Sequence, residues 1–474
     1  MENNSENMES SIENVKKPTP IQNFYNGQSI FITGGTGFIG KLLIEKLLRG
    51  CPDIICIYVM IRPKKEKNLS QRMKELIEDS LFSTLKKTQP TFENRLVAIK
   101  GDCSLPNLGI NIQSLNDLIN LSKEMPKLKS FVHVSTAFAN CIHDLIEEKF
   151  YDPPMDADQI FDLTNYMDEK LLDDTTSQLI GTYPNIYVFT KSIAESVVRK
   201  HVDSMPIGIF RPAIVISTYQ EPIPGWIDNT YGPIGITAGV LMGLMRTHYC
   251  DRTVKANFVP ADLTVNGLIV SAWDIANNRR FKKDLPVYNY VSDDNSITYG
   301  VFLEMIHKYG ELIPSEKAVW CHSLIITKYR LVHLFYIYFL HLLPAAIIDT
   351  IAVCAGKQPR LRRIYNKIHK MSDALGYFST MKWTYTNERW NKVIAKLSPE
   401  DRELFFCDIK DLVWGAYFPT YFLGIRKYIF KDPIETLRQA RIKWLRFYWI
   451  CQTLKILIVC VFLVIIWATF AGVS

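Results

Sequence analysis

The chain has 474 residues, of which 48% are hydrophobic and 12% aromatic, so it is too rich in core-forming side chains for a mainly disordered protein and long enough for two or three domains. Its net charge of +7 is modest but uneven: eight Lys or Arg face only Asp432 and Glu435 between Arg426 and Lys455, directly before an apolar tail. That placement suits an anionic membrane surface, and no nucleic-acid motif accompanies it.

Residues 1–26 are polar, carry Glu2, Glu6, Glu9 and Glu13, and lack the basic and apolar regions of a signal peptide, so they read as a disordered lead. The stretch SIFITGGTGFIG (29–40) then combines a short apolar strand, a glycine turn and the start of a helix. Gly34, Gly37 and Gly40 stand three apart, the spacing of a dinucleotide fingerprint: one glycine for the turn, one for backbone approach to a pyrophosphate, one for helix-on-strand packing. Helix N-terminal N–H groups would meet the phosphates.

A helix face of Phe38, Leu42, Leu43, Leu47 and Leu48 leads to a second apolar strand at 54–61. Arg62-Pro63-Lys64-Lys65 follows at once, where an NAD enzyme places an acid on the ribose 2′-hydroxyl. Basic residues there accept a 2′-phosphate, so NADPH is favoured, with Arg62 as first choice and Lys64 second. A helix from Ser70 to Lys86 precedes a third strand at 96–100, closed by Gly101-Asp102. Asp102 is placed to meet an adenine or to cap a turn.

One strand-helix unit of a doubly wound sheet is then missing between Gly109 and Gln113, because a single helix (113–125) already leads to the strand 130–134. That strand ends in Ser135-Thr136, hydroxyls positioned to hydrogen-bond a substrate carbonyl. A proton donor should be a Tyr-x-x-x-Lys pair on one helix face. Two pairs occur. Tyr166 and Lys170 lie in an acidic stretch and read as a solvated helix; Tyr187 and Lys191 lie in strand-helix-strand context and are preferred. A phenol titrates near ~10, and an adjacent ammonium is expected to lower it toward neutrality.

The Pro- and Gly-rich run 221–235 is expected to form a loop at the substrate mouth. Residues 331–356 are apolar but interrupted by His333, His341, Pro344 and Asp349, and read as a membrane-surface or re-entrant helix pair or as a buried hairpin. Ile456 to Val473 is eighteen uncharged residues, about ~27 Å as helix, a transmembrane candidate preceded by Trp444, Phe447, Tyr448 and Trp449. Ten cysteines stand singly, without a CxxC pair or a Cys/His cluster, and read as reduced thiols in a cytosol-facing protein without metal.

From Ser29 to Val473 the sequence resembles the fatty acyl-CoA reductases, a membrane-bound branch of the extended short-chain dehydrogenases/reductases. The matching pieces are TGGTGFIG, HVSTAFAN, YVFTKSIAE, RPAIV, PGWIDN followed by GPIG, and a C-terminal half ending in an apolar tail. The implied fold is α/β: a Rossmann-type doubly wound parallel sheet with its substrate loop (27–300), a connecting apolar membrane-associated segment (301–356), a helical domain (357–450) and a transmembrane helix (456–473). The implied activity is reduction of long-chain acyl-CoA to fatty alcohol with two NADPH, Tyr187 as acid, Lys191 as its partner and ribose ligand, and Thr136 ahead of Ser135 polarising the carbonyl. The cofactor site would comprise Gly34, Thr36, Gly37, Phe38, Ile39, Gly40, Arg62, Asp102, Lys191 and Pro212. The resemblance also implies a single pass through the membrane, the body in the cytosol, and the endoplasmic reticulum in preference to the peroxisome. Family members carry roughly forty more residues near Gly109. A second reading is therefore a catalytically inactive tethered form, and a third is an extended reductase acting on a sterol or sugar nucleotide. Oligomeric state and chain-length preference are not legible.

Overall fold

The computed structural model describes residues 17–62, 67–101, 112–278 and 284–471. Within the expected lead, residues 20–25 are ordered as helix α1 (Pro20–Tyr25). Thr19 accepts from the Gln22 amide while the Gln22 side chain returns the bond, Pro20 suits the first turn, and Ile21 and Tyr25 are buried. Polar composition concealed a short helix that is fixed by its cap.

Three parallel strands come next, β1 (Ser29–Ile32), β2 (Cys56–Ile61) and β3 (Leu96–Lys100), in spatial order β3–β2–β1, with α2 (Phe38–Gly50) after β1. The expected helix 70–86 is two helices, Leu69–Ile77 and Ser83–Thr88, because Asp79 accepts from the Leu81 amide and starts a new turn. Helix α3 (Ile112–Lys123) then leads to β4 (Phe131–Val134), followed by α4 (Ile186–Arg199), β5 (Ile207–Pro212), α5 (Ala261–Asn277) and β6 (Val287–Tyr290). These strands form a second parallel sheet, β4–β5–β6.

The Rossmann-type arrangement is therefore present as two half-sheets. In a doubly wound order of 3-2-1-4-5-6 the strand after the first crossover reversal pairs with the first. Here, among the described residues, β1 and β4 are not hydrogen-bonded to each other, and each ends its half-sheet. The break near Gly109 lies largely outside the described residues. Helix α5 packs on α2 and also on β4 and β5, holding the halves under one cover.

The C-terminal region shares this core. Trp390 packs edge-on to Phe210, Tyr288 and Tyr290, and Thr384–Tyr385 pairs in parallel with Leu145–Ile146. Among the described residues, two helices are long and apolar enough to cross a membrane, Arg330–Cys354 and Ile434–Thr469. The first is one continuous helix with a π turn, where a helix pair was expected. Its interrupting polar residues explain the difference: His333, His341 and Asp349 are buried in one stripe against the body, while Leu331, Phe335 and Ile351 stay exposed on the other faces. The second helical run ends in Leu437–Ala471, 35 residues or roughly ~52 Å, longer than a hydrocarbon core of about ~30 Å. Its basic first half stays with the body. Cys321 and Cys451, expected as free thiols, are joined as a disulfide across 130 residues, a proximity that isolated cysteines in a sequence do not reveal.

Candidate active site

The glycine loop takes the shape a dinucleotide needs. Gly34 adopts φ +67°, where a side chain is strained, and its carbonyl accepts from the Gly37 amide at 2.9 Å to close the turn. A Cβ on Gly40 would lie 2.3 Å from the Gly34 carbonyl, so the helix can approach the loop only without a side chain there. Gly37 caps α2 with no side chain occupying the helix end, and the first turn carries no acid, leaving the amides of Phe38, Ile39 and Gly40 for an anion. These residues fit the pyrophosphate of a dinucleotide. Gly35, not singled out in the sequence, is the glycine that packs against strand β2, at Val59.

Arg62 directly follows β2. Arg72, from the helix Leu69–Ile77, donates to the Arg62 carbonyl and to the Thr36 hydroxyl, the latter at 3.2 Å. Sequence reading missed Arg72, because its cue is a helix folding back ten residues later. Lys64 and Asp102 lie outside the described residues. The loop 221–235 is less a free mouth than a brace: Trp226 is buried and stacks on Phe38, Asp228 pairs with Lys41 at 3.1 Å, and buried Asp262 accepts from the amides of Tyr219, Gln220 and Glu221. Tyr231, at its tip, is 82% exposed.

At the carboxyl end of β4, the Thr136 hydroxyl lies close enough to the Tyr187 phenol to oppose the rise in its pKa, and the Thr136 oxygen accepts from the Phe138 amide at 3.3 Å. Ser135 turns the other way and donates to buried Glu195 at 2.6 Å. Glu195 in turn holds buried Arg211 through two bonds, 2.8 and 2.6 Å, and Asn140 at 3.3 Å. Thr136 is thus the hydroxyl beside the phenol, and Ser135 belongs to an internal network. The alternative pair separates, since Tyr166 ends the helix Ala157–Tyr166, fully turned to solvent, and Lys170 starts the next, Glu169–Leu179. Pro212 ends β5, its carbonyl accepting from Ala137 at 2.9 Å.

One electrostatic expectation fails. The Tyr187 pKa is raised, by burial of its hydroxyl end, with the Thr136 bond only partly opposing it, although the ring is 52% exposed. Lys191 Nζ instead donates to the Val134 carbonyl at 2.7 Å, and burial lowers the Lys191 pKa to about 8 while Glu195 opposes the shift. Next to it, His133 is driven to about 3 by burial and by Lys191, and its Nε2 is buried without a partner. A cavity of about 270 Å³ opens beside Phe138, lined by Ile214, Asn257, Tyr299, Phe378 and Trp383.

Two family models, both described as male sterility protein, match the chain; the first, an NAD-binding model, matches in two pieces, residues 32–113 and 110–268, and the second matches 340–432. Fatty acyl-CoA reductase wat of Drosophila melanogaster is 39% identical over 476 aligned positions that take in 92% of each chain. Fatty acyl-CoA reductase 1 of Homo sapiens is 31% identical over 456 positions, 89% of this chain and 88% of its own. The reductase domain of a nonribosomal peptide synthetase from Mycobacterium tuberculosis shares the fold, with a TM-score of 0.52 at 14% identity over 87% of this chain and 93% of that one.

Proposed function

The chain belongs to the fatty acyl-CoA reductase family, and on that premise we propose that it reduces a long-chain fatty acyl-CoA to the fatty alcohol, releasing CoA, with NADPH as hydride donor. The dinucleotide in the glycine loop would supply a hydride to the thioester carbonyl and then to the aldehyde. The residues of the chain do the rest. The Thr136 hydroxyl holds the carbonyl oxygen, and Tyr187 gives its proton as that oxygen gains charge. In the first round the resulting hemithioacetal loses CoA: the C–S bond breaks, the C=O bond re-forms, and the hydroxyl proton leaves with the sulfur. In the second round the protonated oxygen stays as the alcohol. Arg62 and Arg72 beside Thr36 support a 2′-phosphate and hence NADPH over NADH.

The observation that carries this reading is the alignment of the chain with fatty acyl-CoA reductases along nearly its whole length, and the placement of Thr136 beside Tyr187 at the end of β4 supports it. The cavity beside Phe138 has an aromatic wall of Phe378 and Trp383 that suits the first carbons of an acyl chain, each buried CH₂ contributing about 0.8 kcal/mol, and a polar wall that includes Lys255, Asn257 and Lys382. The exposed apolar helix Ile434–Thr469 supports a single-pass anchor, and its basic approach supports a body on the cytosolic side. Purified full-length chain in detergent, given palmitoyl-CoA and NADPH, should form hexadecanol. Turnover of a sterol or sugar-nucleotide ketone with no alcohol from palmitoyl-CoA would overturn the substrate.

A further inference from the structure

The helix Arg330–Cys354 carries two stripes on a four-residue register. His333, His341, Ala345 and Asp349 are buried, and Leu331, Phe335, Phe339, Leu343, Ile347 and Ile351, offset by two residues and so on the opposite face, are each at least 39% exposed. The π turn at Tyr338–Leu342 takes up part of the drift that this register accumulates along an α-helix. An apolar face of this length marks an interaction surface. The buried stripe keeps the helix on the body. His333 Nδ1 bonds the Thr247 hydroxyl at 3.0 Å, His341 Nε2 accepts from the Arg246 amide at 3.0 Å, and Asp349 accepts from the amides of Arg360, Leu361 and Arg362, each at 3.0 Å. Crossing a bilayer would pull these groups off their partners and into hydrocarbon. A helix with one bonded polar face and one open apolar face suits an interface instead.

Charge identifies what covers the face. Between Asp349 and Asp373 the sequence holds six cations, Lys357, Arg360, Arg362, Arg363, Lys367 and Lys370, and no acid; all six are exposed. They occupy the turn after the helix and the first half of the next one, Leu361–Thr380, which packs on it. An apolar partner would leave these cations unmatched. An anionic phospholipid surface matches both features, with apolar side chains below its headgroups and cations among them. The base of the proposed anchor is also near. His322 stacks on Trp444 with ring centroids 5.6 Å apart, and the eight residues from His322 to Arg330 span at most about 29 Å. A membrane that receives the anchor is close enough to meet this helix as well.

We propose that Arg330–Cys354 lies flat on an anionic phospholipid bilayer, its exposed stripe below the headgroups and the basic segment 357–370 against the lipid phosphates and carboxylates, as a second membrane contact beside the anchor. The contact stands apart from the reductase reading, and only its consequence for the reaction rests on that reading. Helix Leu361–Thr380 starts among the cations and, about 26 Å further on, brings Phe378 to the cavity beside Phe138. The lipid surface and the cavity proposed for the acyl chain are thus joined by one helix.

The test uses the full-length chain reconstituted in phosphatidylcholine vesicles with about 30% phosphatidylserine. A nitroxide is attached at Phe335→Cys or at Ile347→Cys, both on the exposed stripe, in a background of Cys103→Ser, Cys354→Ser and Cys460→Ser. Paramagnetic resonance with oxygen and a nickel chelate as relaxants should put both labels at one shallow depth, about 5–10 Å below the phosphates. Labels about 18 Å apart in depth would mean a crossing helix, and labels open to the chelate would mean a helix in water; either overturns the proposal. So would spin–spin broadening that grows with the protein-to-lipid ratio, the mark of a second copy on this face. Chain extracted by detergent from vesicles of equal phosphatidylserine and phosphatidylcholine should retain the serine lipid in at least about 5-fold excess. Arg360→Gln with Arg362→Gln and Arg363→Gln should lower that excess by about 3-fold or more, and an unchanged excess would overturn the role of the basic segment. Equal shallow depths without hexadecanol would uphold the surface contact and reject the acyl-CoA reading.

Discussion

Removing the Glu195 carboxylate leaves Arg211 inside the protein with only the backbone carbonyls of Glu147 and Lys149, each at 3.1 Å, to hold it. Arg211 has no exposed surface and Glu195 is 1% exposed, so screening by solvent does not soften the loss. Breaking a buried pair on one side costs about 3–5 kcal/mol, and the two retained carbonyl bonds favour the lower half of that range. The same substitution strips Ser135 and Asn140 of their acceptor. At about 2 °C per kcal/mol for a cooperative unit of this size, Glu195→Ala should lower the melting temperature by roughly 6–8 °C. Glu195→Gln keeps the shape and an acceptor and loses the charge, so it should fall by about half as much. Thermal unfolding in detergent, read by near-UV circular dichroism, measures both. A paired replacement, Glu195→Leu with Arg211→Met, removes both charges together and should recover most of the lost stability. If Glu195→Ala melts within about 2 °C of the parent, or if the double variant is worse than either single one, the ion pair is not what holds this end of α4 to β5.

Thr136→Val should cut kcat by about 100-fold or more with NADPH affinity little changed, while Thr136→Ser keeps most activity; equal activity of the valine variant would remove Thr136 from the carbonyl. Arg72→Glu, and more strongly Arg62→Glu with it, should shift kcat/KM from NADPH toward NADH by at least about 10-fold, read with both cofactors at saturating acyl-CoA. Burial lowers the Lys191 pKa to about 8, so its ammonium is complete below that pH and is lost as pH rises through it; kcat/KM for NADPH should decline above about pH 8, and a profile flat to pH 9.5 would count against Lys191 holding the ribose as a cation. In Lys191→Met the alkaline limb should vanish along with most of the affinity.

Local pattern carried most of the fold. The apolar runs of β1, β2 and β3 and the glycine spacing were legible because each is a property of neighbouring residues. The Tyr187 and Lys191 pair was legible for the same reason, sharing one face of α4. What escaped depends on residues distant in sequence. Arg72 reaches Thr36 across a helix that reverses direction, Trp226 stacks on Phe38 across nearly the whole first domain, and Cys321 meets Cys451 only through the C-terminal helix. Composition misled at 20–25 and 330–354. In the first a capping box outweighed polarity; in the second, buried histidines looked like interruptions because their partners, Thr247 and the Arg246 amide, lie on another strand.

The alternation along β4 links these results. Ser135 and Thr136 are adjacent hydroxyls that sequence ranked without an observation to separate them, and a one-residue difference in parity separates them in space. The odd position bonds β5 through its backbone and sends its side chain to Glu195, while the even position brings its hydroxyl to Tyr187. The same parity turns the Val134 carbonyl away from β5, where it meets Lys191. Lys191 is therefore held by the β4 backbone, while the next even position brings Thr136 beside Tyr187. Burial raises the phenol, and the parity of β4 decides which of the two hydroxyls shares that buried end.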